Sequence, residues 1–319
     1  MNGEAPPAVI AVGASAGGVE ALIDLIGALP EDFAAPVLVV LHLAPSAPSA
    51  LAAILGRRAP LHVATARTGE PLEAGRVYVA PPDEHLVITD GRVQLNRLPR
   101  ENGHRPAVDP TFRSVAESWG ARAIGVVLSG NRDDGSRGLA AIKAAGGRAF
   151  VQDPDECLYR GMPDSAIRAT PVDGVLSIAG IAERLVEMTR EDQEVVPAMR
   201  EPEDDPEMRA TRFTCPDCGG TLSHGAEHGA ETYRCSVGHA YSPESLEEEQ
   251  ARLLESALWA AVRTLEDRAV LLRRLAERAA GRAAERSHHS YLAQAHDAAD
   301  RADLIRAIVT RPVPEADVA

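Results

Sequence analysis

Short, nearly continuous apolar runs alternate with longer mixed stretches over the first 190 residues of the chain. Unbroken runs of Val, Ile and Leu are typical of parallel strands that helices cover on both faces, and the mixed stretches have the composition of those helices. We therefore predict, over residues 1–190, an α/β domain with a doubly wound, mainly parallel sheet and helices on both faces. The predicted strands are residues 9–12, 37–41, 77–79, 124–128 and 149–152, and the predicted helices are residues 19–28, 49–58, 111–119, 135–145 and 163–169.

One segment of this domain departs from the alternation. In residues 85–95, the strand-like stretches HLVIT and RVQL flank Asp90-Gly91. An Asp-Gly pair between two such stretches predicts an antiparallel hairpin.

The pattern changes again after residue 190. Residues 191–211 are predicted to be an acidic linker, since eight acidic residues and three prolines lie between Glu191 and Glu207 with one arginine. Residues 212–241 form a compact module rich in Cys, His and Gly. Residues 242–310 carry apolar stripes at steps of three and four, which predict a helical hairpin, and residues 311–319 are expected to be a disordered tail. Ser242-Pro243-Glu244 has the residue types that begin a helix.

Composition narrows the choice of function. Aromatic residues make up 3% of the chain and the formal net charge is −14, which argues against nucleic acid as a partner because such proteins collect phosphates with a basic field. No apolar run approaches the roughly 20 residues that span a bilayer, and the first residues lack a basic signal-peptide region. We expect a cytoplasmic protein without membrane insertion.

The first predicted strand runs into Gly13-Ala14-Ser15-Ala16-Gly17, a G-x-S-x-G pattern directly before a helix. This is the context of a nucleophile elbow, in which a tight turn exposes the serine at the helix N-terminus. A phosphate-binding loop and a simple tight turn are the alternatives, and this motif alone does not choose between them.

A histidine and two carboxylates follow other predicted strands. His42 comes directly after residues 37–41, and Asp133 and Asp134 follow residues 124–128. Ligands of parallel sheets bind beyond the carboxyl ends of the strands, so these side chains and Ser15 could form a Ser-His-Asp triad. The alternative is that an aspartate only caps the next helix and that His42 is an ordinary residue at a strand end.

An ordered set of segments resembles the catalytic domain of chemotaxis protein-glutamate methylesterases, the CheB type. The segments are VIAVGASAGGVEAL, LVVLHLAP, VYVAPPDEHLVI, RPAVDPTFRSVA, GVVLSGNRDDGSRGLAAIKAAGG and RGMPDSAI, across roughly residues 8–190. The resemblance implies Ser15 as nucleophile, His42 as base and Asp134 as the orienting acid, with Asp133 at a variable position. We expect Ala16, Gly17, Gly130 and Asn131 to form the oxyanion and substrate loop.

The chain also departs from that family's pattern. Asn131-Arg132 replaces the family's Met-Gly and places longer polar side chains beside the expected oxyanion pocket. A receiver domain usually precedes the catalytic domain, whereas here the first predicted strand begins near the start of the chain, and we expect a stand-alone catalytic domain. The basic residues Arg97, Arg100 and Arg105 are candidates for docking acidic receptor helices, with a merely solvated loop as the alternative.

The Cys/His-rich module has the spacing of a metal site. Cys215-x2-Cys218 is followed by Cys235-x3-His239, and two such pairs supply the four ligands of a closed, structural zinc site. His224 and His228 are alternative ligands. The segment resembles a zinc-ribbon and helix extension found after stand-alone methylesterase domains.

These features together predict a serine esterase of bacterial signal transduction. The expected reaction is hydrolysis of glutamyl γ-methyl esters, with glutamine deamidation as a further activity implied by the family, on a methylated chemoreceptor-like protein. We expect no cofactor for catalysis and a structural zinc ion in the C-terminal module. The C-terminal helices could bind a partner or a second copy. The alternative is a catalytically weak adaptor that uses the esterase fold and its tail for docking.

Overall fold

A computed structural model describes residues 8–45, 49–190, 208–227, 229–280 and 285–311. The predicted linker lies largely, and the predicted tail almost wholly, outside these residues. The chain divides into two compact units, residues 1–246 and 247–319.

The first unit contains a parallel seven-stranded sheet with the strand order β3-β4-β2-β1-β7-β8-β9. Its strands are β1 (Val9–Ala14), β2 (Val37–Leu41), β3 (His62–Thr65), β4 (Arg76–Val79), β7 (Ala123–Val127), β8 (Arg148–Gln152) and β9 (Gly174–Leu176). The helices are α1 (Gly18–Ala28), α2 (Leu51–Gly56), α3 (Val108–Trp119), α4 (Ser136–Ala144), α5 (Gly161–Ala169) and α6 (Ile178–Arg190). This architecture confirms the predicted doubly wound α/β fold.

Helices cover both faces of the sheet. Along β1, Ile10 and Val12 pack in one apolar cluster, with side chains of α1, α2 and α6, while Val9 and Ala11 pack in another, with side chains of α3, α4 and α5. Successive strand residues point to opposite faces, and here both faces are buried. The continuous apolar run that predicted β1 therefore reflects burial on two sides.

All five predicted strands are present, but strands β3 and β9 were not predicted from the sequence. Both lie at the edges of the sheet and are short, and their side chains are half-buried or exposed. An edge strand is covered less completely, so its apolar signal is weaker. The predicted hairpin is confirmed as β5 (His85–Thr89) and β6 (Arg92–Asn96), with Asp90 and Gly91 at φ 51° and 70° in the turn.

Residues 209–246, called here the ribbon module, combine four antiparallel strands with the first turn of helix α7 (Pro243–Ala280). The strands are β10 (Arg209–Thr214), β11 (Thr221–Glu227), β12 (Ala230–Cys235) and β13 (Ala240–Tyr241). The core is small and consists of Cys215, Leu222, Cys235, Tyr241 and Leu246. Ser242 caps α7 as predicted, since its Oγ accepts a hydrogen bond of 3.0 Å from the Ser245 amide.

The second unit contains the rest of α7 and helix α8 (Glu285–Val309). His288 on α8 contacts the Ala276 carbonyl oxygen of α7 at 2.9 Å, and Arg306 pairs with Glu266. Small side chains of the two helices are buried, including Ala276, Ala295 and Ala302, while Leu254 is 61% exposed. In the described part of the chain, no helix is long and apolar enough to cross a bilayer.

Candidate active site and metal cluster

Ser15 lies in the tight turn between β1 and α1. Its amide donates to the Ser129 carbonyl oxygen at 3.0 Å, and its own carbonyl oxygen accepts from Gly18 at 2.9 Å. Gly17 has φ 70°, and a Cβ on Gly18 would lie 2.6 Å from the Ala14 Cβ. Both glycines are therefore needed for a turn this tight, which presents the Ser15 hydroxyl at the carboxyl end of the sheet.

Ser15, His42 and Asp134 form a continuous hydrogen-bonded chain. His42 Nδ1 lies 2.9 Å from Ser15 Oγ, and His42 Nε2 lies 2.7 Å from Asp134 Oδ2. Nδ1 of the imidazole can thus accept the serine proton, while the N–H at Nε2 donates a hydrogen bond to the Asp134 carboxylate. The structure thus brings together three residues from three different strand ends.

The N-terminus of α3 holds the Asp134 carboxylate. Asp134 Oδ2 accepts a hydrogen bond of 2.6 Å from the Val108 amide, and Oδ1 accepts one of 3.1 Å from the Asp109 amide. Burial alone would raise the pKa of Asp134, but the hydrogen bonds and the charge of His42 outweigh it and bring the pKa well below its ordinary value. Asp134 therefore stays ionised, as the acid of such a triad must.

The neighbouring carboxylate, Asp133, is bonded to the ribbon module. Its Oδ1 accepts a hydrogen bond of 2.5 Å from Ser245 Oγ. Burial raises the pKa of Asp133, and its hydrogen bonds with Ser242 and Ser245 only partly oppose that rise. Geometry thus separates two adjacent aspartates that the residue pattern alone could not tell apart.

Sequence reasoning missed several residues around the triad. His104 stacks on His42 with ring centroids 3.7 Å apart, and Asn102 donates to Asp134 Oδ1 at 2.9 Å. Asp109 is buried and pairs with Arg137 at 3.0 Å. Burial raises the pKa of Asp109, and the Arg137 guanidinium opposes that rise. These residues carry no recognisable spacing, so only the folded chain brings them to the site.

Part of the predicted oxyanion and substrate loop already forms hydrogen bonds within the protein. Ala16 and Gly17 follow the nucleophile directly, and the Ala16 carbonyl oxygen accepts from Ser129 Oγ at 2.9 Å. The Gly130 amide cannot serve as an oxyanion donor, because it donates to the Tyr159 carbonyl oxygen at 2.9 Å. This corrects the sequence-based expectation for Gly130, since nothing in the sequence indicated that residue 159 approaches this loop.

The two residues that depart from the family pattern lie next to this position. Asn131 is exposed, and Arg132 has φ 67°, a conformation that glycine adopts with less strain. Gly161 packs closely against them, since a Cβ there would lie 2.8 Å from the Arg132 backbone nitrogen. The backbone turn therefore exists although the family's glycine is missing.

The three arginines predicted to dock a receptor differ in their exposure and in the distance to their acidic neighbours. Arg105 binds Asp83 at 2.7 Å and also donates to the Arg97 and Leu98 carbonyl oxygens. Arg100 lies 3.9 Å from Asp217 of the ribbon module. Arg97 is the most exposed of the three, although Glu84 lies 3.4 Å from it. Acidic neighbours thus neutralise much of this basic segment.

The four predicted metal ligands converge in the ribbon module. One potential ligand atom from each of Cys215, Cys218, Cys235 and His239 lies within 4.8 Å of all the others. The Cys218 and Cys235 sulfurs are 3.6 Å apart, and Cys235 Sγ lies 3.5 Å from His239 Nδ1. A regular tetrahedron with metal–sulfur bonds of about 2.3 Å has edges of about 3.8 Å, so these distances fit a zinc ion.

The thiols of this cluster differ in acidity. Burial would raise the pKa of Cys235, but hydrogen bonds from His239, Cys218 and the Gly238 amide lower it to about 7. Burial raises the pKa of Cys215 to about 11. His224 is not in the cluster and lies 3.7 Å from Glu231. The other alternative ligand, His228, lies outside the described residues.

The α/β fold carries Ser15, His42 and Asp134 in the arrangement that serine hydrolases use. The family model described as CheB methylesterase matches residues 10–185. The chain therefore belongs to the CheB methylesterase family.

Curated relatives and a solved structure agree with this assignment. A protein of Anaeromyxobacter dehalogenans named protein-glutamate methylesterase/protein-glutamine glutaminase 2 is 42% identical over 182 residues, which cover 57% of this chain and 53% of the relative. A protein of Leptospira interrogans named putative protein-glutamate methylesterase/protein-glutamine glutaminase is 37% identical over 195 residues, 61% of this chain and 99% of the relative.

The crystal structure of the Thermotoga maritima CheB methylesterase catalytic domain matches with a TM-score of 0.55 and 36% identity, covering 57% of this chain and 98% of that one. The chain spans about half the length of several of the curated relatives it matches. The matched part is the catalytic domain, and the ribbon module lies outside it.

Proposed function

We propose that this protein hydrolyses the γ-methyl esters of glutamyl side chains on a chemoreceptor-like protein, and that it also deamidates glutamine there. The observation that carries the proposal is the hydrogen-bonded chain from Ser15 through His42 to Asp134. The names of the curated relatives supply the substrate class. The adaptor alternative has less support, because an adaptor does not require this geometry.

The reaction proceeds through an acyl-enzyme. His42 Nδ1 takes the proton of Ser15, whose Oγ attacks the ester carbonyl carbon, and the ionised Asp134 stabilises the imidazolium that forms. His42 then gives the proton to the departing methoxy group, which leaves as methanol. Water, deprotonated by His42, attacks the acyl-enzyme and releases the glutamate carboxylate and free Ser15. For a glutamine side chain the leaving group is ammonia.

The negative charge of the tetrahedral intermediate needs hydrogen-bond donors beside Ser15. We assign this role to the Ala16 amide, next to the N-terminus of α1, and to the Asn131 amide. The amide of Gly130 is already bonded to Tyr159, which supports Asn131 as the donor from this loop.

Zinc is proposed as the ion of the Cys/His cluster, with Cys215, Cys218, Cys235 and His239 as ligands. Four protein ligands leave no open position, so the ion would stabilise the ribbon module and take no part in the hydrolysis. The partner is proposed to be a methylated chemoreceptor-like protein in the cytoplasm. Self-association through α7 and α8 remains a prediction.

The test is methanol release from methylated receptor fragments. The wild type should release methanol, and Ser15→Ala should lower the rate by several orders of magnitude. Ser118→Ala, which changes an exposed serine on α3, serves as the matched control and should retain the wild-type rate. Near-normal release by Ser15→Ala would exclude Ser15 as the nucleophile, and no release by the wild type would refute the proposed substrate.

A further inference from the structure

Asn102 lies between the ribbon module and the catalytic acid. The residue is 1% exposed, and its backbone has φ 52°. Its amide donates a hydrogen bond of 2.8 Å to the Ala240 carbonyl oxygen on β13 of the ribbon module. Contact with the ribbon module therefore holds the backbone of the loop that carries Asn102.

The side chain of Asn102 connects the same two parts of the molecule. Its Nδ2 donates to Asp134 Oδ1 at 2.9 Å and to Asp109 Oδ2 at 3.0 Å. Its Oδ1 accepts from Arg137 Nη2 at 3.1 Å and from the Ser242 amide at 3.2 Å. N–H donors of Arg137 and Ser242 face the Asn102 oxygen, and the carboxylates of Asp134 and Asp109 face its nitrogen. These partners determine which end of the carboxamide is oxygen and which is nitrogen.

A second path joins the ribbon module to the same group of side chains. Arg137 is almost fully buried, and its Nη1 donates to Thr232 Oγ1 on β12 at 2.8 Å. The Nε of the same guanidinium donates to Asp109, whose backbone amide binds Asp134. Buried networks of this kind hold their members in one arrangement when every member is satisfied.

We propose that Asn102 is a positioning residue for the catalytic acid Asp134, and that the ribbon module, through Ala240, Ser242 and Thr232, holds Asn102 and Arg137 in place. The folded ribbon module is then required for full esterase activity, although the hydrogen bonds of Ser15 and His42 in the described part of the chain go to residues outside it. This inference rests on the proposed esterase function.

The first test is Asn102→Ala in the full chain. Loss of a hydrogen bond to a charged, buried carboxylate should lower kcat about tenfold or more, while KM for a small methyl-ester peptide changes less than about twofold. Asp134 then has one donor fewer and stabilises protonated His42 more strongly. Protonated His42 cannot accept the Ser15 proton, so the acid limb of the kcat/KM profile should move to higher pH.

The second test changes the ribbon module alone. Thr232→Val removes the hydroxyl that binds Arg137 and should lower kcat about twofold to fivefold in the same assay. Thr211→Val is the matched control, because Thr211 Oγ1 bonds within the ribbon module, to Leu222 and Phe213. The control should keep the wild-type kcat, and thermal unfolding of all three variants reports whether they fold.

The outcomes separate this inference from the proposed function. A wild type that releases no methanol from the peptide refutes the esterase assignment and this inference with it. An active wild type whose kcat and pH profile are unchanged in folded Asn102→Ala overturns the role of Asn102. Equal kcat values for Thr232→Val and Thr211→Val overturn the role of the ribbon module.

Discussion

The catalytic site joins residues distant in the chain, whereas the residues of the Cys/His cluster lie within 25 positions of one another, and the protein holds the two sites in different ways. The triad lies at the ends of strands buried on both faces, and Asp134 accepts hydrogen bonds from His42, Asn102 and two amides of α3. The cluster lies in a module whose core has five residues. A large core and saturated hydrogen bonds can hold a site without a ligand, whereas we expect a core this small to need a bound metal ion to keep its Cys and His side chains together.

The largest expected effect concerns the base of the triad. His42→Ala should lower kcat/KM for methyl-ester hydrolysis by about four orders of magnitude or more, because His42 is the base that contacts the Ser15 hydroxyl in the described residues. Initial rates of methanol release give the comparison. His62→Ala, at an exposed position on edge strand β3, is the control and should stay near the wild-type rate; a similar rate for His42→Ala would remove His42 from the mechanism.

Substitution of the two adjacent aspartates should have a smaller effect on kcat, and it tests which of them holds His42. Asp134→Asn should lower kcat by about two to four orders of magnitude, since an amide neither stabilises the imidazolium nor fixes its tautomer. Asp133→Asn should lower kcat less than about tenfold, because Asp133 contacts Ser245 and not His42. A larger loss for Asp133→Asn than for Asp134→Asn in the same kinetic assay would contradict the assignment.

Removal of the metal tests whether the Cys/His cluster depends on a bound ion. We expect about one zinc per chain by elemental analysis, and Cys218→Ser should lose most of it and unfold the ribbon module at a lower temperature. Cys157→Ser is the control, since Cys157 lies outside the cluster and bonds to the Asp153 carbonyl oxygen. Purified wild type without zinc would show that the four converging side chains do not form a zinc site.

The smallest effects concern stability as a function of pH. The lowered pKa of Asp134 adds stability above the ordinary aspartate pKa of about 3.9, and this contribution is lost as the pH falls below that value. The raised pKa of Asp133 has the opposite sign, since its stability contribution is present at low pH and is lost as the pH rises through the folded-state value.

Urea unfolding at several pH values can distinguish the opposite pH dependences that Asp134 and Asp133 give to the free energy of unfolding. The stability lost in Asp134→Asn, about 1 kcal/mol or more at pH 7, should shrink on acidification towards pH about 3. Asp133→Asn keeps a hydrogen-bonding oxygen for Ser245 and should become more stable relative to wild type as the pH rises. Parallel pH dependence in the two variants would mean that the carboxylates do not differ as their contacts indicate.

Much of the catalytic domain was predictable because its signals are local. The five strands buried on both faces have continuous apolar runs, and the Asp90-Gly91 turn marks the hairpin by itself. The positions of Ser15 and His42 follow from where their strands end. Edge strands β3 and β9 escaped prediction, because one covered side leaves only a weak apolar pattern.

The sequence by itself determined the α/β class, the candidate triad and the four potential metal ligands, since strand periodicity, motif order and ligand spacing are properties of neighbouring residues. The residue pattern left both aspartates open, the family resemblance implied Asp134, and the structure shows Asp134 in contact with His42. The tertiary structure alone decided that the Gly130 amide is already bonded to Tyr159 and that His104 stacks on His42. It also decided that Asn102 joins Ala240 to Asp134. Such contacts join residues far apart in the chain, and their geometry depends on how whole elements pack, which no local pattern encodes.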